Sequence, residues 1–100
     1  MNDSAAVRDN EPLGRLTIRQ RRAMGLTFVG TLRAARELAR RGDITSKTDP
    51  KEMAAAIAEE VMLTNARAWS DNASSIDWDA ILAFIEKLIP LILKLIALFG

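Results

Sequence analysis

One hundred residues without a single cysteine or histidine allow one small domain at most. They exclude disulfides and thiolate metal sites as reinforcement of its core, and they remove the commonest zinc ligand and the usual general base near neutral pH. The net charge of +1 conceals a polarity: residues 14–42 hold eight arginines against one acid, Glu37, while residues 43–79 hold eight acids against Lys47, Lys51 and Arg67.

Residues 1–14, MNDSAAVRDNEPLG, are polar and acidic with no apolar period, so a flexible arm that orders only on a partner is expected there. The same stretch lacks the basic and apolar regions of a signal peptide. Synthesis is therefore expected in the cytoplasm, with a final location in an assembly or at a membrane.

The first helix is predicted over about 17–41. Thr17 followed by Gln20 forms a capping-box pattern, in which hydroxyl and amide satisfy orphan backbone donors. Gly42 after Arg40 and Arg41 is a helix stop with cations where the dipole favours them. Helical spacing places Met24, Phe28, Thr31, Ala35, Leu38 and Ala39 on one face, with Leu32 at its edge. Arg15, Arg19, Arg22, Arg33, Arg36 and Arg40 form a basic face opposite. Gly25 and Gly30 weaken the middle of this helix by about 1 kcal/mol each against Ala, tolerable where another backbone packs closely.

The second helix is predicted over about 50–69. Asp49 caps it, Pro50 suits its first position and Glu52 lies three residues beyond the cap. Met53, Ile57, Val61 and Ala68 make a narrow apolar stripe, with Glu52, Glu59, Glu60 and Arg67 opposite. The two helices form a paired unit over 15–70. The run of turn formers from Ser70 to Ser75, SDNASS, ends it and leads into a linker over 71–76.

The third helix is predicted over about 77–99, within a C-terminal unit of residues 77–100. Asp77 as cap puts Ile76 and Ile81 in hydrophobic-staple positions, while Ser74 or Ser75 as cap would move the start by two or three residues. At 100° per residue, one sector of about 120° collects Asp79, Ala83, Glu86, Lys87, Pro90, Lys94 and Ala97. The remaining arc is Trp78, Ile81, Leu82, Phe84, Ile85, Leu88, Ile89, Leu91, Ile92, Leu93, Leu95, Ile96, Leu98 and Phe99. That arc is much wider than the stripe of about 100° on a surface helix. Two short helices with narrow stripes are not expected to cover all of it, so some of that surface is expected to meet something outside the chain, and these fourteen residues are assigned to partner or membrane contact.

A lone transmembrane span is marginal, whereas an oligomer that hides the charged stripe would make a span workable. The large apolar residues gain about 4–8 kcal/mol, whereas Glu86, Lys87 and Lys94 cost about 8–10 kcal/mol if central. In pattern the segment resembles cationic membrane-active peptides with a central proline hinge, which implies an interfacial helix with its lysines toward water. The third alternative is the interior of an assembly, where burial of Leu and Ile supplies ample association energy.

No constellation carries chemistry. Asp77 and Asp79 flank Trp78 as a paired carboxylate, but acids in a first helical turn complement its dipole. No phosphate-binding glycine loop and no activated nucleophile are visible, and nothing calls for a cofactor or a metal. The fold class is all-α, three helices behind an N-terminal arm. The expected function is a non-enzymatic assembly or structural subunit, such as a virion component, docked into a larger particle, oligomer or complex by its C-terminal helix. The alternative is a membrane-associated or membrane-active protein of holin-like or toxin-like logic. Partners rank as protein first, lipid bilayer second and nucleic acid last. For the arginine face, the acidic block of the same chain or of a neighbouring copy is the leading partner.

Overall fold

The computed structural model describes Leu13 and residues 15–99, with side chains to residue 98. The chain order is α1 (Ile18–Ala23), α2 (Phe28–Arg40), α3 (Pro50–Thr64), α4 (Ala66–Asp71), a 3-10 turn (Ala73–Ser75) and α5 (Trp78–Phe99). No strand occurs among the described residues. The fold is all-helical, and its three long helices, α2, α3 and α5, pack mutually. The expected arm over 1–14 lies outside the described residues except for Leu13, which is 2% exposed and belongs to the core.

The predicted first helix is two helices, because Gly25 ends α1 as Gly42 ends α2. At both sites glycine takes positive φ, +75° and +81°. At each, the two amides that follow the cap fold back onto the last turn: Gly25 N–H and Leu26 N–H donate to the carbonyls of Arg22 and Arg21, and Gly42 N–H and Asp43 N–H to those of Ala39 and Leu38. This Schellman pattern satisfies carbonyls that a helix end would otherwise leave orphaned. Thr27 then starts α2, its Oγ1 accepting from Gly30 N–H at 2.9 Å. The break re-aims the helix, so Phe28, expected inside, is 48% exposed, whereas Met24, Thr31, Ala35 and Leu38 are buried as expected. The Thr31 hydroxyl, fully buried, donates to Thr27 O.

The caps predicted from sequence form. Thr17 and Gln20 exchange both capping-box bonds. Asp49 accepts from the backbone of Lys51 and Glu52, and Asp77 Oδ1 accepts from Ala80 N–H. The predicted second helix is interrupted at Asn65, whose side-chain amide donates to Val61 O and so competes with the helical ladder. The turn at Gly25 sits against this break: a Cβ on Gly25 would fall 2.5 Å from Asn65 Nδ2 and 3.2 Å from Val61 Cγ1.

The α1–α2 turn is also fastened to α4. Trp69 Nε1–H donates to Met24 O at 2.9 Å in the buried interior, and Gln20 Nε2–H donates to Asn72 Oδ1 at 2.7 Å. Trp69 meets Trp78 edge to face, ring centroids 6.1 Å apart. These contacts close one end of the three-helix arrangement. Along its length, Phe84 borders the same hollow as Thr27 and Phe28, while Ile96 borders another with Ala39 and Arg40. Helices α2 and α5 therefore run alongside each other in the same sense.

The assignment of all fourteen residues of the α5 arc to outside contact requires correction. Ile81, Ile85, Ile89 and Ile92 are buried in the chain's own core. Leu82, Phe84, Leu88, Leu93 and Ile96 are half-buried against it. The reason lies in the partner helices, whose stripes are wider than Met53, Ile57, Val61 and their α2 counterparts. Ala34, Ala54 and Ala58 are buried as well, and small side chains let a neighbouring helix approach closely enough to cover a broad surface.

Candidate functional site

Three surface features remain once the core is assigned. The first is the outer flank of α5. Phe84, Leu91 and Leu98 recur every seven residues, which places them on one line along the helix. Phe84 is half-buried, Leu91 is 38% exposed and Leu98 is 79% exposed. At its N-terminal end this line reaches a hollow of about 230 Å³ that Ile18, Leu26 and Phe28 also border. Ile18 and Phe28 are themselves exposed. Lys87 and Lys94 stand three or four residues from Phe84, Leu91 and Leu98, the spacing of neighbours on a helix surface. Glu86 falls at the other edge of the polar sector that holds both lysines, away from this line.

Of the fourteen residues expected to make outward contact, Leu98 is the most exposed at 79%, and Leu91 and Trp78 follow at 38% each. Trp78 is partly exposed beside Trp69, Leu95 is half-buried, and the side chain of Phe99 lies outside the described residues. The four isoleucines of the core are unavailable.

The second feature is the arginine face. Arg15, Arg19, Arg22, Arg33, Arg36 and Arg40 are all exposed, but they are distributed over the segment before α1, α1 itself and α2. Arg22 and Arg33 border a hollow of about 250 Å³ together with Thr27, Thr64 and Asn65. Arg36 and Arg40 border a larger one of about 500 Å³ with Ile44 and Ile96. Arg40 also pairs with Glu37 at 3.0 Å.

The third feature is the link between the basic and acidic blocks, carried by Arg41, which the helical-wheel reading left out. Its guanidinium reaches Glu60 at 2.8 Å, Asp43 at 3.1 Å and Glu37 at 3.9 Å. The hydrogen bond to Glu60 is the main reason that Arg41 is held above the ordinary arginine value. The signal was in the sequence: a basic residue at a helix C-cap, beside the glycine stop, with acids on the next helix.

Asp77 and Asp79 border a hollow of about 490 Å³ with Arg15, Ser74 and Ser75. Asp77 is engaged as the cap of α5. Among the described residues no group of three or more acidic, histidine or cysteine side chains is placed to hold a metal ion. No helix among them is long and apolar enough to cross a membrane. Comparison of the chain with protein-family models, with curated proteins and with solved structures yielded no match.

Proposed function

We propose that this protein is a non-enzymatic helical subunit that docks into an oligomer or larger complex through the outer flank of α5. The observation that supports this reading is the line of Phe84, Leu91 and Leu98, continued by Phe28 and Ile18. Apolar side chains aligned on one side of a small molecule mark an interaction surface, whereas the same residues scattered singly need no explanation. The reading predicts that the purified chain associates, and that Leu91→Glu with Leu98→Glu converts it to monomer while leaving its helical content unchanged. Light scattering and circular dichroism measure the two. A wild-type chain that stays monomeric at high concentration would sink the proposal.

A second reading rests on Lys87 and Lys94, which border the same line. Lysines beside an apolar strip also suit an interfacial helix on an anionic bilayer. It predicts flotation with anionic vesicles that is lost in the Leu91→Glu, Leu98→Glu variant. Failure to float with anionic or neutral vesicles removes it.

A further inference from the structure

The α5 flank has a counterpart on the outer face of another helix of the same molecule. On α3, Glu52, Glu59 and Leu63 point away from the core. Glu52 and Glu59 are exposed, and Leu63 is 70% exposed. Helical geometry sets Ala56 in line with them, and Ala56 is only half-buried. The α3 face therefore reads Glu52, Ala56, Glu59, Leu63: an acid followed four residues later by an apolar side chain, twice. The α5 flank reads Lys87, Leu91, Lys94, Leu98: a base followed four residues later by a leucine, twice. Both charge pairs are seven residues apart, about 10.5 Å along a helix, so each glutamate can meet a lysine with the apolar residues between them. No ion pair within the chain involves Glu52, Glu59, Lys87 or Lys94 among the described residues.

We infer that the occupant of the α5 flank is the outer face of α3 on a second copy of this chain. The inference rests on the docking role proposed above and names its partner. Charge complementarity selects the partner face and its register, as flanking charges do between paired helices. The apolar side chains between them supply the burial. Because the two faces are different surfaces, the contact is heterologous: each copy offers one face and accepts at the other. Repetition of such a contact produces a ring when the rotation closes and a filament when it does not.

Charge exchange on the full-length chain provides the test. Lys87→Glu with Lys94→Glu, and separately Glu52→Lys with Glu59→Lys, should each weaken association by about tenfold or more, read by sedimentation velocity. An equimolar mixture of the two variants should recover association, since the reversed α5 of one then meets the reversed α3 of the other. Recovery also shows that both variants are folded. If Glu52→Lys with Glu59→Lys associates like wild type while Leu91→Glu with Leu98→Glu abolishes association, the α5 flank docks elsewhere: this inference falls and the docking role stands. If both charge variants weaken association but the mixture does not recover it, the pairing of these two faces is wrong. A monomeric wild type that binds only anionic vesicles overturns both.

Discussion

Gly25 and Gly42 end helices by the same backbone device, yet their surroundings differ. Nothing lies within 4 Å of the position a Cβ would take on Gly42, whereas on Gly25 it would meet Asn65 Nδ2 at 2.5 Å. Gly42→Ala should therefore cost only the left-handed backbone penalty, about 1–2 kcal/mol. Gly25→Ala should cost that plus a packing penalty of about 1–3 kcal/mol. Urea denaturation of the two variants measures the difference, and equal losses would mean that Asn65 swings aside freely. Trp69 acts on the same turn through a hydrogen bond. Trp69→Phe removes the donor to Met24 O and should destabilise the protein by about 1–3 kcal/mol, because a buried carbonyl is left unpaired. An unchanged urea midpoint would show that another donor takes its place.

At the scale of the element, α5 is continuous through Pro90, a residue that costs about 3 kcal/mol relative to Ala in a helix interior. Pro90 is exposed, so its ring contributes little packing to offset the missing bond to the carbonyl of Glu86. Pro90→Ala should stabilise the protein by up to about 3 kcal/mol, read as a higher thermal midpoint. A lower midpoint would mean that the fit of α5 against α2 and α3 depends on the proline. The caps, by contrast, were legible in sequence at Thr17 and Asp49, because capping is a contact between residues two or three apart; at the start of α5 the sequence offered Ser74 and Ser75 beside Asp77, and Asp77 is the one that caps. The breaks at Gly25 and Asn65 were less legible. Gly25 followed by Thr27 spells stop and then start, but the Met24–Thr31 apolar spacing also suits one unbroken helix. The choice between them depends on what α4 offers, namely the indole of Trp69.

At the scale of the molecule, the central question was which part of α5 faces inward. Ile85→Ala should cost about 2–5 kcal/mol by opening a cavity in the shared core. Leu98→Ala should change stability by no more than about 0.5 kcal/mol while lowering association. Denaturant titration and light scattering separate these effects. A large stability loss at Leu98 would mean that its side chain belongs to the fold. The pairing of the charge blocks is likewise only partly internal. Arg41 spans them, while Glu52 and Glu59 remain on the outer face of α3.

What the sequence determined by itself was local: an all-helical chain, the positions of its caps and its glycine stop, and a C-terminal helix with more apolar surface than a solvent-facing helix carries. Each follows from contacts within a few residues or from helical periodicity. Only the tertiary structure decided how much of that surface the chain keeps for itself. Coverage depends on how near neighbouring helices approach, and that distance is set by the buried alanines of α2 and α3, whose contribution is invisible to a count of large apolar residues. Phe28 moved outward for the same kind of reason. Its direction is a property of the turn at Gly25, and that turn is held in place by residues some forty positions away.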